Sequence, residues 1–319
     1  MQARKNRTQV WKRVAAIALL VVLGFGLTAV DLATEALAAE KTTQITFDTP
    51  AAAGAALVQA AKDDDEIALF GMLGVDTKTR LSSGNKDQDE ADLQALAAKY
   101  ETMNRWVDMS DGSRVLYIGA DNFAFPVPLA QNSSGRWYFD GIAGAEEVRA
   151  RNIGRNELLA IDACNALTYA QQMYFAGRGH LTEYAQRIVS TQGKQDGLYW
   201  PAPAKQSPSP LASIEQFPKS SVGSLSTSEP FVLDGYAFRI LTAQGNDAPG
   251  GARKYVVNGK MTEGFAILAT PVKYAETGIM TFMVGPHGVV YDRDFGPDTT
   301  KIAAPIQEFN PTDDWSPVE

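Results

Sequence analysis

Asp196-Gly197-Leu198-Tyr199-Trp200-Pro201 is the segment of this chain best equipped to hold a ligand. It places one acid beside two large aromatics where the chain reverses. Flat apolar faces with hydrogen-bonding edges suit sugars and peptides. The same rings would also plug the core beneath a long loop, the ordinary use of buried aromatics. Glycoside hydrolysis needs two carboxylates at a set separation. Asp196 is the candidate acid for that chemistry, and nothing in the sequence marks its partner. Asp196, Tyr199 and Trp200 are therefore the expected binding residues, with no catalytic residue and no metal ligand assigned.

The other reactive groups are sparse. His180 and His287 are the only histidines, each beside glycine in an expected turn, too few for a zinc site. Cys164 is the only cysteine, so no intramolecular disulfide can form; it sits in an apolar helical pattern and is expected to be buried. Ser83-Gly84-Asn85-Lys86 has the spacing of a serine nucleophile and a lysine base, but it lies in an expected loop and lacks companion motifs. Three acidic groups could offer oxygens to calcium: Asp63-Asp64-Asp65-Glu66; Asp87, Asp89, Glu90 and Asp92; and Asp292, Asp294 and Asp298 with Gly296. None has the spacing of a calcium-binding loop. Solvated charge is the default reading, and no cofactor is expected beyond the possibility of calcium. Arg151, Arg155, Asn156 and Glu157 read as helix-start ion pairs and caps.

The elements that position these groups follow an address. Arg4, Lys5, Arg7, Lys12 and Arg13 precede the apolar run Val14 to Val30, and Ala36-Leu37-Ala38-Ala39 offers small residues for cleavage. That order reads as a secretory signal over residues 1–39, with a retained membrane anchor as the alternative to cleavage, and predicts a periplasmic or secreted protein with no transmembrane helix after cleavage. Removing its five basic and two acidic residues leaves 24 basic and 35 acidic ones, a balance of −11. Such an acidic body excludes ordinary nucleic-acid binding, which needs a basic face.

Asp48-Thr49-Pro50 is a helix start, followed by an alanine-rich helix over 51–61 and an apolar stretch from Ile67 to Leu73. A polar loop is expected over 82–89 and a helix over 92–106. Strands are expected over 114–118, 125–129 and 136–139. This α+β unit, residues 40–143, has the element order of a small cystatin-like fold. The longest helix is expected over 144–177, with Leu159, Ala163, Ala166, Ala170, Met173 and Tyr174 on one face, and a shorter one over 181–191. Pro201 to Pro230 holds six prolines and eight serines, which forbids regular structure and predicts a long loop. Short β-prone runs from 235 to 292, with turns at Asn258-Gly259 and Gly285-Pro286-His287-Gly288, predict an antiparallel meander covered on both faces. The tail over 301–319 is expected along the surface. The fold class is α+β.

The motifs Trp137-Tyr-Phe-Asp140-Gly141, Ile153-Gly-Arg-Asn-Glu-Leu158, Asp196 to Pro201, Gly235-Tyr236 with Phe238-Arg-Ile-Leu-Thr242, and Ala248-Pro-Gly-Gly-Ala252 occur in order over the chain. With them the chain resembles the exported bacterial domain-of-unknown-function 2950 family, a likeness that implies export and no established activity. Residues 146–296 are also similar to the globular part of type IV pilins and type II secretion pseudopilins. In those a helix packs on an antiparallel sheet across a variable loop. Here the apolar amino-terminal segment is separated from the globular helix, unlike in those proteins. The expectation is a non-enzymatic exported envelope or secreted protein that binds an unknown protein or envelope polymer. The alternative is a carboxylate-based hydrolase acting on cell-envelope glycan.

Overall fold

The computed structural model describes residues 44–74, 86–177, 182–201, 208–214 and 230–318, and the side chains of Lys86 and Gln88 are not among its described parts. Helix α1 (Pro50–Lys62) starts as its residues dictate: Pro50 fills the first helical position and the Thr49 hydroxyl accepts from the Ala52 amide at 3.1 Å. Asp65 does the same for α2 (Glu66–Leu73), which stops at Gly74 with φ 96°.

Helix α3 (Lys86–Thr102) is displaced from the expected 92–106. Asp87 and Asp89 suit its first turn, where negative charge meets the positive end of the helix dipole. It ends at Thr102 because the next residues are claimed by a sheet. Trp106 lies on strand β1 (Asn104–Asp108), paired antiparallel with β2 (Arg114–Ile118). The expected strand over 125–129 is instead an irregular run between β3 (Phe123–Ala124) and β4 (Leu129–Gln131). Pro126 and Pro128 have no N–H to give a ladder. Strand β5 (Trp137–Phe139) closes the order β1-β2-β4-β5, with β3 on β2. Leu57, Leu116, Ile118, Leu129 and Phe139, all fully buried, centre the core between this sheet and α1 to α3.

Helix α4 (Gly141–Gly177) starts under an Asp140 cap, whose carboxylate accepts from the Ile142 and Ala143 amides at 3.1 and 3.0 Å. It runs unbroken through Gly154. Its buried stripe is Ile153, Ala160, Ala163, Cys164, Leu167, Ala170, Gln171 and Tyr174; Leu159, Ala166 and Met173 are only partly covered. The helix expected after it does not form. Residues 182–190 are irregular, with bridges from Tyr184 to Met261 and from Val189 to Tyr199, so tertiary partners take the backbone groups a helix would use.

The second sheet is an antiparallel meander. Strands β6 (Phe231–Leu233) and β7 (Tyr236–Leu241) lead to the short strands β8 (Ala243–Gln244), β9 (Arg253–Lys254), β10 (Val256–Val257) and β11 (Lys260–Met261). The sheet then resumes with β12 (Ala266–Pro271), β13 (Met280–Val284) and β14 (Val290–Asp294). Asn258 and Gly259, with φ 51° and 77°, form the two-residue turn between β10 and β11, the mirror-image geometry that suits a hairpin. After the short helix α5 (Thr299–Ala303), β15 (Glu308–Phe309) pairs with β8 and β16 (Ser316–Pro317) pairs with β14. The six-stranded order is β16-β14-β13-β12-β7-β6.

Both faces of this sheet are covered, as the apolar runs require. Helix α4 covers one; α5 and the tail cover the other. The tail is therefore not a surface strap: Ala303, Phe309 and Trp315 join the main core, and Trp315 meets Phe295 edge-on at 5.6 Å. The described residues from Gln44 onward form one compact unit with two buried cores.

Candidate functional site

The Asp196–Pro201 segment is a pinned corner. Asp196 accepts from the Thr191 amide through Oδ1 at 2.7 Å and from the Thr191 hydroxyl through Oδ2 at 2.8 Å. Burial pushes its carboxyl up, but these hydrogen bonds and the Lys194 charge outweigh that and hold it below the usual aspartate range. Gly197 has no room for a side chain: a Cβ would stand 2.7 Å from the Ser190 nitrogen. Leu198 is fully buried, and its N–H and C=O are taken by Arg187 and Leu211. Tyr199 is tied through its backbone to Ile188 and Ser190. The rings of Tyr199 and Trp200 pack against the main core and remain partly exposed, and the indole N–H of Trp200 is buried with no partner among the described residues.

Helix α4 holds this corner from beneath. The fully buried Gln171 donates to the Ala185 carbonyl at 2.8 Å and accepts from the Ala185 amide at 2.9 Å. Tyr174 donates to the Gln195 carbonyl at 3.1 Å. One helix face therefore holds the irregular run at Ala185 and again at Gln195, the residue before Asp196.

The remaining candidates are dispersed. Asp63 accepts from Gln59 and Asp65 caps α2, so this acidic run serves a helix–helix turn. Asp294 accepts from the Gly296 amide at 2.7 Å, and Asp298 pairs with Lys301 at 2.8 Å. No group of three or more His, Cys, Asp or Glu among the described residues is placed to hold a metal ion. His287 is exposed in the turn after β13; His180 and Ser83 lie outside the described residues. Cys164 is fully buried in apolar surroundings, which pushes its thiol up to about 12. A cleft of about 370 Å³ is lined by Asp247, Pro311, Thr312, Asp313 and Asp314, none of them expected from the sequence. Asn310 braces it, accepting from the Asp247 amide and donating to its carboxylate, both at 2.9 Å.

Asn156 and Glu157 are not the helix-start groups they were expected to be. Arg151 does pair with Glu147, at 2.7 Å, but Glu157 makes no ion pair among the described residues. Its Oε1 accepts from the Ile279 and Met280 amides at 2.9 and 3.1 Å, where β13 begins. Asn156 donates to the Thr277 carbonyl at 3.0 Å. Burial pushes Glu157 above its ordinary value; the two amides pull it down by less, and Asp292 and Asp294 raise it further. Beside it Tyr236 donates to the Met280 carbonyl at 2.8 Å, and its ring occupies the space a Cβ on Gly278 would need. A sequence signal existed: Ile153, Glu157, Ala160, Cys164, Leu167, Gln171 and Tyr174 alternate by four and three, and within that stripe Glu157 and Gln171 each bind two backbone groups.

A family model described as protein of unknown function (DUF2950) matches residues 44–318. No curated protein and no solved structure matches the chain.

Proposed function

The chain belongs to the DUF2950 family, and we propose that it is an exported, non-enzymatic envelope or secreted protein that binds another macromolecule, either a protein or an envelope polymer. The observation that carries this reading is the pinned corner. Tyr199 and Trp200 stay partly exposed on a backbone anchored from Ile188, Ser190, Gln171 and Tyr174. Rigid aromatics bind at low entropic cost, because little side-chain freedom remains to be lost. The basic, apolar and small-residue order of residues 1–39 supports export. A long helix against an antiparallel meander supports the likeness of residues 146–296 to pilin and pseudopilin globular parts.

The glycan-hydrolase alternative draws less support from Asp196. A general acid working near neutral pH needs a raised pKa, and Asp196 is held low with both oxygens bound to Thr191. The test is crosslinking of the protein in its own envelope, compared with a Tyr199→Ala/Trp200→Ala variant. The reading expects one recurrent protein or polymer adduct that the variant loses. Adducts unchanged by the variant, or turnover of an envelope glycan by the purified protein, would overturn it.

A further inference from the structure

Helix α4 is fastened to a different body along each part of its length. Its first part is tied to residues 44–140. Gly144 lies so close to Val127 that a Cβ would stand 2.6 Å from Val127 Cγ2. Arg151 donates to the Ala124 carbonyl at 2.7 Å, and its guanidinium lies over the Phe123 ring. The later part of α4 is tied to residues 182–318. Asn156 donates to the Thr277 carbonyl at 3.0 Å, and Glu157 accepts from the Ile279 and Met280 amides at 2.9 and 3.1 Å. From Ala160 onward the buried stripe of the helix belongs to the core beneath the six-stranded sheet.

The two bodies meet through this helix. Among the described residues, no strand pairing, hydrogen bond, ion pair or ring contact runs directly from 44–140 to 182–318. The two cores share no residue, and the buried Ile153 belongs to neither. Every such link therefore passes along α4, and it changes hands between Arg151 and Asn156. Gly154 stands in that interval. Packing does not call for a glycine there: the residue is exposed, and a Cβ on it would meet nothing within 4 Å, unlike one on Gly144. Glycine weakens a helix interior, because its backbone has the most freedom to lose and lies open to water. The weakest point of α4 thus falls where the helix passes from one body to the other.

We infer that Gly154 is a hinge: α4 bends there, and the lobe of residues 44–140 swings against the lobe built on the six-stranded sheet. The anchors on either side keep each part of the helix with its own lobe. Bending is therefore confined to residues 152–155, about one turn. A helix bends without breaking when the hydrogen bonds on its solvent side lengthen, and Gly154 lies on that side. With no Cβ at 154, the adjoining turns can open or close over it without a clash. The second lobe carries Tyr199 and Trp200, so the swing sets where their corner stands relative to the first lobe.

The test is residual dipolar coupling of the backbone amides in the weakly aligned full chain, fitted separately for the two lobes. Hinge motions fall in the microsecond-to-millisecond range that these couplings average. The wild type should give two alignment tensors of unequal magnitude. Gly154→Ala, for which there is room, should bring the two magnitudes together. It should also raise amide protection at residues 156–158 about two- to fivefold, with the intrinsic rate divided out. Arg155→Ala, at the neighbouring exposed position, should leave the tensors apart. One common tensor in the wild type would overturn the hinge. So would a Gly154→Ala variant whose lobes still differ or whose protection is unchanged, and so would convergence in Arg155→Ala.

Discussion

Replacing Gln171 by leucine tests whether α4 holds the Asp196–Trp200 corner. Gln171 is fully buried and satisfies both polar groups of Ala185, itself 1% exposed. Leucine fills similar space and offers neither a donor nor an acceptor. Two buried backbone groups are then orphaned, at about 1–3 kcal/mol each, or about 2–6 kcal/mol together. Leucine regains about 1.5–3 kcal/mol of apolar burial. The central values, about 4 and about 2 kcal/mol, leave a net loss of about 2 kcal/mol, within limits of about −1 to 4.5 kcal/mol. In a unit of this size it should lower the melting temperature by about 2–4 °C per kcal/mol. Urea unfolding measures the global loss, and exchange at the Ala185 amide measures the local one. Gln171→Glu refines the test. When protonated, its O–H can donate to the Ala185 carbonyl as the amide does. When ionised, it sets a buried charge against that carbonyl. Its folded pKa is thereby raised, so its stability should approach wild type in acid and be lost as pH rises. A Gln171→Leu variant with wild-type stability and unchanged Ala185 protection would refute the reasoning.

Other perturbations probe the remaining joints. Gly278→Ala drives a Cβ into Tyr236, displacing its hydrogen bond to Met280; a loss of about 2–4 kcal/mol is expected in chemical denaturation. Asp196 is held below the usual aspartate range, so its contribution is present above the unfolded pKa and lost as pH falls through the folded one. Asp196→Asn should therefore lose stability at neutral pH and show a shallower acid limb than wild type when melting is followed from pH 6 to pH 2. The Cys164 thiol, buried and pushed up to about 12, should be silent to a thiol-reactive dye at pH 8 until denaturant is added. Labelling of the native protein at the unfolded rate would contradict that burial.

How much of this was legible depends on how far each residue's partner lies along the chain. Thr49-Pro50 announces α1 because a cap and its amide are three residues apart. Asn258-Gly259 announces its hairpin because the turn needs only two positive φ values. The covered meander was legible from apolar runs such as Ala266–Pro271, and so was the burial of Cys164. Residues 182–191 carry a helical pattern and still form none, because Gln171, Met261 and Tyr199 claim their backbone from outside the segment. Trp106 continues the apolar spacing of α3, yet the pairing of Asn104–Asp108 with β2 ends that helix early. Asp196 was legible as a polar group at a reversal, but not its use, since Thr191 competes with any ligand for the same oxygens. Glu157 was the hardest to foresee: its partners are backbone amides, which no side-chain motif records.

The motifs that carry the family likeness are mostly joints. Asp140 caps α4, Asn156 and Glu157 clamp the β12–β13 turn, and Gly235-Tyr236 packs into that clamp. Around Ala248–Gly251 the Gln244 amide donates to the carbonyls of Pro249 and Gly251, and Tyr255 donates to Gln244 at 2.9 Å. Each joint uses side chains that fit one geometry and leaves little reactive surface behind, so shared motifs of this kind report a shared fold. The Asp196–Pro201 corner differs in one respect. Its acid, glycine and leucine are spent on the joint, but the rings of Tyr199 and Trp200 lie partly outside it. If those rings serve only to pack, replacing them should lower stability and leave envelope adducts in place. If they bind, a conservative Tyr199→Phe, which keeps the ring and its packing, should keep stability while weakening any adduct that relies on the hydroxyl.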